Sequence, residues 1–447
     1  GRTNDSHNCD QAMAFAMGRT LVLPPDQSMY LLRKNDNKQR RHFSFNHFFH
    51  MESISNEHVG FKIITMKEFL ETVAMTGQMR DTVTGQVTFP PGNVTEWDGK
   101  NKDQIQQLDK WLQHSTRSTV WSPNDCMATF PRSKDPKDAQ ELWNDYNDVQ
   151  ANGGFPMFDK FVGKPNPVNS TAKIRMKENW GRRKTLCMYD EEMQKSKVVH
   201  FPVIAGRRNQ EAEARLLVHF YAFLFFQDWR QDLWMKRFIR DHVRYVDEIQ
   251  CAAARVVEAV RKRSKRNPKT PSPTGEFDSF HIRRGDFQYT VTRFDTPKIM
   301  QISQSKLVKG GTIYIATDER NKSFFDPMRE HYDLVFLDDF KEELGDLNTN
   351  YFGMVDQLIA SRGRTFFGCW FSTFTGYINR LRGYHADNLQ LPGYEDGIIN
   401  SYYYALADRF DHMRTFFPVK REFYAREFPT SWRLIDTGVG EVTDGRQ

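Results

Sequence analysis

The sequence predicts an α/β protein made of two Rossmann-like domains that face each other across a cleft. Short apolar strands alternate with helical segments after Phe277, and a fainter strand and helix pattern occurs near residue 20. One predicted strand, at 280–282, runs directly into Arg283 and Arg284. Strands that alternate with helices favour right-handed crossovers and a parallel sheet. Ligands of such sheets bind at the carboxyl ends of the strands.

The first half of the chain carries the weaker structural signals. Residues 9–17 predict a helix that Gly18 ends, and residues 21–23 predict a short strand. The stretch 86–167 is rich in Pro, Gly, Asn and Asp, so we expect loops and short elements there. The apolar residues at 211–226 predict a helix.

The second half of the chain has a regular alternation of elements. Apolar residues repeat at helical spacing between Ile249 and Val260 and predict a long helix. From residue 277 onward, short β-branched and aromatic runs are separated by helical patterns, which predicts a parallel sheet. The predicted strands are 280–282, 312–316, 334–337 and 365–368, and the predicted helices are 322–331, 352–361 and one that begins at Ser372.

Composition favours a folded protein that binds a small anion. The chain has 447 residues, of which 39% are hydrophobic and 14% aromatic, and this argues against global disorder. Its net charge of +6 is small for this length, whereas nucleic-acid binders concentrate positive charge. A basic run at 261–266 is interpreted as a solvated helix end, with a nucleic-acid patch as the alternative. We expect no nucleic-acid partner.

The strand at 280–282 ends in the densest cluster of charge. Residues two apart on a strand share a face, so His281 and Arg283 point the same way and can meet one phosphate, while Arg284 points to the other face. Arginine binds phosphate through a planar, permanently charged fork. Asp286 completes the cluster. A surface turn held by a salt bridge from Asp286 to an arginine explains the same residues equally well.

Later strands and helices carry further candidate binding residues. Asp318 follows a predicted strand and can accept hydrogen bonds from sugar hydroxyls or cap a helix. Ser372, Thr373 and Phe374 begin a helix, where hydroxyls and free N–H groups bind anions or cap the helix. Asp356 can accept the two adjacent N–H donors of a guanine edge, or be an ordinary exposed carboxylate.

Metal motifs are missing from the sequence, so we predict no metal and no other cofactor. There is no D-x-D, H-E-x-x-H or C-x-x-C pattern among the 447 residues. His42, His47 and His50, with Glu52, could form a zinc site, but packing among phenylalanines explains them better. The five cysteines are scattered and allow one or two disulfides.

The charged motifs resemble those of the GDP-fucose protein O-fucosyltransferases, most closely the enzymes that modify thrombospondin-type repeats, and those of the related α1,6-fucosyltransferases. His281-x-Arg283-Arg284-x-Asp286-Phe287 resembles the first motif of that family. Residues 314–319 resemble the second, and Asp356 together with 366–368 and 372–374 resembles the third. The order and the spacing of the three motifs also agree.

The resemblance implies a GT-B fold and an inverting, metal-independent transfer of fucose from GDP-fucose. It implies that Arg283 binds the β-phosphate and stabilises the leaving GDP. It implies that His281, Asp286 and Asp356 hold the nucleotide, and that the residues at 372–374 cradle the pyrophosphate. Arg284 and Asp318 are further candidates for substrate binding.

The opening loop departs from the pattern of the resembled family. Small polar residues there suit a ligand loop or a capped terminus. Relatives often read G-x-x-N-N-x-R; Asn4 matches, whereas Asp5 and His7 replace an amide and an arginine. Family members that use a general base take a glutamate from this loop. None is present here, so Asp5 is the candidate base by its position.

The resemblance also implies a domain division, an acceptor and a location. We expect a Rossmann-like acceptor-side domain with a loop-rich insertion at 1–210, connecting helices and a linker at 211–275, and a Rossmann-like domain for the GDP-sugar at 276–447. The acceptor is a hydroxyl of a protein, on serine or threonine, or of a glycan. Alternatives are another donor, such as a rhamnose nucleotide, and a non-catalytic relative that binds nucleotide or glycan. We expect the protein in the lumen of the endoplasmic reticulum or Golgi. The sequons at Asn4, Asn93, Asn169 and Asn321 add weak support for this secretory location. A missing N-terminus could carry a membrane anchor.

Overall fold

The computed structural model has parallel sheets flanked by helices, which confirms the predicted α/β class. The chain divides into two units, one of residues 2–244 and the other of residues 245–443. None of the helices in the described residues has the length and apolar character needed to cross a membrane. The structure describes residues 13–24, 27–28, 42–58, 61–80, 84–87, 112, 117–118, 121, 126–152, 171–179, 184–201, 224–285, 290–369, 372–392 and 400–404.

The unit of residues 2–244 carries several small sheets. Its described strands are β1 (Leu21–Val22), β2 (Gln27–Ser28), β3 (His42–Phe43), β4 (Ile63–Ile64), β5 (Arg117–Ser118), β6 (Cys126–Phe130), β7 (Thr185–Met188), β8 (Val199–His200) and β9 (Leu224–Phe226). Strand β6 is central to a parallel sheet of order β7-β6-β9. Strands β1 and β4 pair in parallel, as do β5 and β8, whereas β2 and β3 pair antiparallel. Its described helices are α1 (Met51–Glu57), α2 (Met66–Thr72), α3 (Pro136–Ala151), α4 (Ala172–Asn179), α5 (Glu191–Lys195) and α6 (Trp229–His242).

The expectation of loops and short elements at 86–167 is wrong for its central part. This stretch contains β6, whose five residues are all buried, and the 16-residue helix α3. Asp135 caps α3 by accepting a hydrogen bond from the backbone N–H of Lys137, and Pro136 occupies the first helical position. Asp and Pro therefore begin a helix here, because the first turn has N–H groups without helical partners and tolerates proline.

The predicted helix at 211–226 is also wrong at its end. Leu224–Phe226 forms strand β9, which pairs in parallel with β6; residues 211–223 lie outside the described residues. An uninterrupted apolar run fits a buried strand as well as a buried helix, so periodicity could not separate them. A disulfide joins Cys126 of β6 to Cys187 of β7, with 5.5 Å between the Cα atoms.

The unit that contains residues 245–443 is built on a five-stranded sheet in which every strand is parallel. Its described strands are β10 (Asp278–Ile282), β11 (Thr312–Thr317), β12 (Asp333–Val335), β13 (Phe366–Cys369) and β14 (Ser401–Tyr404), and its described helices are α7 (Asp247–Lys265), α8 (Thr296–Ser303), α9 (Asp326–Arg329), α10 (Lys341–Leu344), α11 (Phe352–Ser361) and α12 (Thr373–Asn388). The strand order is β12-β11-β10-β13-β14. The predicted helix at 322–331 forms as a 3-10 helix, Lys322–Phe325, that continues into the short helix α9.

The basic run at 261–266 forms the end of α7, as interpreted from the sequence. The Arg263 guanidinium donates two hydrogen bonds to the Asp333 carboxylate, at 2.9 Å and 2.7 Å. Such a bidentate pair fixes the last turn of the helix against the edge strand β12.

Helices cover both faces of the five-stranded sheet, as strand alternation requires. Phe280 and Ile282 of β10 belong to an apolar cluster with residues of α8 and α9. The opposite face meets α11 and α12: the Ser279 hydroxyl donates to the Ala360 carbonyl oxygen, and His281 contacts Thr375. The face that carries His281 is therefore the one on which α11 and α12 pack.

The strand order indicates where a ligand is expected to bind. The chain begins at the central strand β10, continues outward through β11 and β12, and then returns to the other side of β10 with β13 and β14. The crevice between the carboxyl ends of β10 and β13 is the topological switch point, where doubly wound sheets bind their ligands. The first and third charged motifs flank this crevice.

Candidate active site

Arg283 and Asp318 form an ion pair at the carboxyl edge of the sheet. The parallel register of β10 and β11 brings the residues after both strands side by side. Arg283 Nη1 lies 2.6 Å from Asp318 Oδ2. The Asp318 carboxylate also accepts from the backbone N–H of Arg284, at 2.7 Å, and from that of Gly285, at 2.9 Å. Asp318 therefore holds the turn after β10 and fixes the direction of the Arg283 guanidinium.

Gly285 allows this close approach of the carboxylate. A Cβ atom on Gly285 would lie 2.5 Å from Asp318 Oδ2, closer than such contacts occur. Three donors already occupy Asp318, and a carboxylate has about four acceptor positions. About one position on Asp318 is left for a ligand hydroxyl.

Arg284 points to the opposite face of the sheet, as strand alternation predicts. Its Nε donates to Glu319 Oε2 at 2.9 Å, and its Nη1 donates to the Phe294 carbonyl oxygen at 3.1 Å. Its guanidinium carbon also lies 3.9 Å from the centre of the Phe324 ring. These contacts give Arg284 an anchoring role within the unit.

His281 is buried and neutral. Burial, followed by the positive charge of Arg283, lowers its pKa from 6.5 to about 3. His281 Nδ1 lies 2.7 Å from Thr375 Oγ1, and the same oxygen accepts from the Cys369 backbone N–H at 3.0 Å. We infer that the Thr375 hydroxyl donates its proton to Nδ1, which assigns the remaining proton of the imidazole to Nε2. Of the two residues on this face, only Arg283 then carries positive charge at neutral pH.

The start of α12 lies against His281. The His281 and Phe374 rings stack with centroids 4.4 Å apart and planes 28° apart. Helix α12 begins at Thr373, and Ser372 precedes it, accepting at its carbonyl oxygen from the Gly376 N–H at 3.0 Å. Hydroxyls and N–H groups of a helix start thus adjoin the end of β10, which is an arrangement suited to phosphate.

Asp356 is a desolvated carboxyl group rather than an exposed helix carboxylate. The Tyr314 hydroxyl, from β11, donates to Asp356 Oδ1 at 2.5 Å. Although the residue as a whole is half-buried, burial of its carboxyl raises the pKa from 3.8 to about 7, and the hydrogen bond from Tyr314 partly opposes that rise. This carboxyl gains or loses a proton close to neutral pH.

The structure brings together most of the residues that the sequence predicted. Arg283 with Asp318 joins the first motif to the second, and His281 with Phe374 joins the first to the third. The hydrogen bond from Tyr314 to Asp356 joins the second to the third. Three further predicted residues, Asn4, Asp5 and Asp286, lie outside the described residues.

Sequence reasoning included Tyr314 and Gly368 in the second and third motifs without giving either residue a role, and it missed Thr375. A Cβ atom on Gly368 would overlap the Thr375 methyl group, so glycine is required for Thr375 to reach His281. The tyrosine carried one usable signal, since a hydroxyl on a buried strand needs a polar partner. Thr375 carried none, because its role depends on how α12 is rotated against the sheet.

Comparison with known proteins identifies a family. A family model described as GDP-fucose protein O-fucosyltransferase matches residues 8–385, which include every described site residue above. Among curated proteins, none matches the chain. One similar solved structure is POFUT1 in complex with GDP-fucose, with 11% sequence identity over 85% of this chain and 89% of that chain and a TM-score of 0.35. Apo POFUT1 has 13% identity over 90% of this chain and 93% of that chain, with a TM-score of 0.36. The fucosyltransferase NodZ from Bradyrhizobium has 15% identity over 40% of this chain and 55% of that chain, with a TM-score of 0.23.

Proposed function

The chain belongs to the GDP-fucose protein O-fucosyltransferase family and is a fucosyltransferase, and we propose that it transfers fucose from GDP-fucose to a serine or threonine hydroxyl of a protein. The transfer inverts the anomeric carbon and uses no metal ion. The observation that carries this proposal is the convergence of Arg283, neutral His281 and the start of α12 on the switch point of the parallel sheet.

The donor binds with its diphosphate between β10 and α12. The Ser372 and Thr373 hydroxyls and the first N–H groups of α12 donate to the pyrophosphate, since these N–H groups have no acceptor within the helix. His281 donates to the nucleotide through Nε2. Asp356, in its ionised form, accepts from two N–H groups of the guanine edge. Asp286 is proposed as a further nucleotide ligand.

Arg283 supplies the charge that the reaction needs. The acceptor oxygen forms a bond to the anomeric carbon while the bond from that carbon to the β-phosphate oxygen breaks, and the electron pair leaves with GDP. Negative charge therefore develops on the diphosphate. A guanidinium that Asp318 already holds in place stabilises this charge without reorganising, which is the most effective form of electrostatic stabilisation.

The acceptor hydroxyl has to lose a proton during the transfer. By position, Asp5 is the proposed general base, with Asn4 in the same loop as a substrate ligand. The remaining acceptor position on Asp318 suits a hydroxyl of the donor. The proposal also assigns the fold to the GT-B class, with two Rossmann-like domains.

The disulfide between Cys126 and Cys187 supports the location proposed for this enzyme. Disulfides persist in oxidising compartments and are rare where thiols are kept reduced. We therefore place the enzyme in the lumen of the secretory pathway, where its protein acceptors would also be exposed.

A donor comparison tests the proposed function. Calorimetry should show that GDP binds more tightly than UDP, and purified enzyme should release the nucleoside diphosphate from GDP-fucose faster than from a rhamnose nucleotide. Mass spectrometry of native glycoproteins incubated with enzyme and GDP-fucose should then show a fucose added to serine or threonine. Tighter binding of UDP would contradict the role given to Asp356, and GDP binding with no turnover of any donor would contradict the assignment as a catalyst.

A further inference from the structure

Two histidines and a glutamate in the unit of residues 2–244 are arranged like a metal site. Glu57, His58 and His242 each offer one ligand atom, and these atoms lie within 4.8 Å of one another. In the described part of the chain, this is the group of His, Cys, Asp and Glu side chains that has such an arrangement. The two histidines lie 184 positions apart in the sequence, so no local motif could indicate the cluster.

The spacing of the two imidazoles fits one ion. His58 Nε2 lies 3.0 Å from His242 Nδ1. Two nitrogens bound tetrahedrally to Zn²⁺, each about 2.0–2.1 Å from it, are about 3.3 Å apart. The two nitrogens would therefore have to move apart by a few tenths of an ångström to bind one zinc ion. Without an ion, the two nitrogens can share only a single proton between them.

Aromatic packing holds both imidazoles in place. The ring of Phe238, one turn before His242 on α6, has its centroid 4.8 Å from that of His58 and 4.8 Å from that of His242. Phe61 in turn packs edge to face on Phe238, with centroids 5.5 Å apart. Rings that are already fixed lose little conformational freedom when they bind a ligand, so the cluster is preorganised.

The backbone around the cluster favours positive charge. Glu57 is the last residue of α1, His58 directly follows it, and His242 is the last residue of α6. The carboxyl end of a helix carries partial negative charge on its unpaired carbonyl groups. Two helix ends thus meet at the cluster, and the exposed carboxylate of Glu57 adds a full negative charge.

We propose that Glu57, His58 and His242 bind one Zn²⁺ ion, with water in the fourth position. Two imidazoles and one carboxylate suit zinc, whereas Mg²⁺ and Ca²⁺ prefer oxygen ligands alone. The ion joins the end of α1 to the end of α6, two residues before the boundary between the two units at 244 and 245. This site stands apart from the nucleotide chemistry proposed above and does not depend on it.

Titration of the full-length chain with metal tests the site. After treatment with EDTA and exchange into metal-free buffer at pH 7.5, calorimetry with ZnCl₂ should show one ion per chain, and MgCl₂ at the same concentrations should give no heat of binding. Zn²⁺ should also raise the melting temperature, since a ligand that binds only the folded state stabilises it. A chain that takes up no Zn²⁺ under these conditions overturns the proposal.

Point variants separate this site from surface binding. His58→Ala and His242→Ala should each weaken Zn²⁺ binding by more than about 10-fold, because removing a direct ligand costs more than disturbing a residue behind it. Glu57→Gln should also weaken it, and this variant should keep its fold because Glu57 is exposed. Glu52→Gln, an exposed glutamate on the same helix α1, is the matched control. Wild-type affinity in Glu57→Gln and His242→Ala, or equal loss in Glu52→Gln, overturns the proposal.

Discussion

The substitution Asp356→Asn should stabilise the protein at alkaline pH while it impairs donor binding. Burial raises the pKa of Asp356 from 3.8 to about 7. The folded chain therefore keeps a proton that the unfolded chain releases near pH 3.8. The stability that this proton provides is fully present below pH 3.8 and is lost as the pH rises from there through 7. Asparagine cannot ionise, so the variant has no such loss.

The pKa values set the size of the expected effect. A rise of about three pKa units corresponds to about 4 kcal/mol of unfolding free energy across the full titration, of which about 2–3 kcal/mol falls between pH 5 and pH 8. For a unit of about 200 residues, 1 kcal/mol shifts the melting temperature by about 2–4 °C. The difference in melting temperature, variant minus wild type, should therefore increase by roughly 5–10 °C between these two pH values.

Thermal unfolding of three proteins at pH 5 and pH 8 provides the assay. Wild type, Asp356→Asn and Asp346→Asn are compared, and Asp346 serves as the control because it is exposed in the same unit. The control should differ from wild type by the same amount at both pH values. If the difference for Asp356→Asn also stays constant with pH, burial does not hold the Asp356 carboxyl protonated.

The same ionisation should make donor binding depend on pH. If only ionised Asp356 accepts the guanine N–H groups, the fraction of protein molecules able to bind the donor grows from about one tenth at pH 6 to about nine tenths at pH 8. The affinity for GDP-fucose should then rise about 10-fold over this range in wild type. Calorimetry on Asp356→Asn should show weak binding that does not change with pH, and a tenfold rise in that variant would contradict the assignment.

Other substitutions test contacts that support the site. Thr375→Val should raise the KM for GDP-fucose about 10-fold, because His281 loses its hydrogen-bond partner. Thr375→Ser keeps the hydroxyl and should have the wild-type KM. Equal KM values in Thr375→Val and wild type would show that Thr375 does not support the site. Gly368→Ala should lower unfolding stability by about 1–3 kcal/mol in thermal melts, since the added methyl overlaps Thr375, and an unchanged melting temperature would refute this. Arg382→Leu should lower unfolding stability by about 3–5 kcal/mol in the same thermal melts, because Ser401 Oγ and several carbonyl oxygens would lose the buried guanidinium that donates to them. Burial also lowers the pKa of Arg382 to about 10. A loss of unfolding stability below about 1 kcal/mol would count against this role of Arg382.

The parallel sheet could be predicted from the sequence because its strands alternate clearly. Phe280 and Ile282 are apolar, while His281 and Arg283 share the other face, and the structure has the same division. The predicted helix at 352–361 agrees with α11 at both ends. Order and spacing of three motifs, rather than any single motif, indicated a binding site at one edge of this sheet.

Other features depended on contacts that no local pattern encodes. Asp135 and Pro136 look like loop residues, but together they begin a 16-residue helix. The contact of His281 with Thr375 and that of Tyr314 with Asp356 depend on how helices α12 and α11 lie on the sheet. The cluster of His58 with His242 depends on pairing two distant helix ends.

Turnover of GDP-fucose by Arg283→Ala tests whether Arg283 stabilises the departing diphosphate. Because we propose that Arg283 carries the charge that stabilises departing GDP, the variant should fold normally but release GDP at least about 100-fold more slowly at saturating donor. Arg320→Ala is the control, because Arg320 is an exposed arginine that follows the neighbouring strand β11, two residues after Asp318. We expect wild-type turnover in the control and its loss in Arg283→Ala. Near-wild-type turnover in Arg283→Ala would show that Arg283 does not stabilise the leaving GDP.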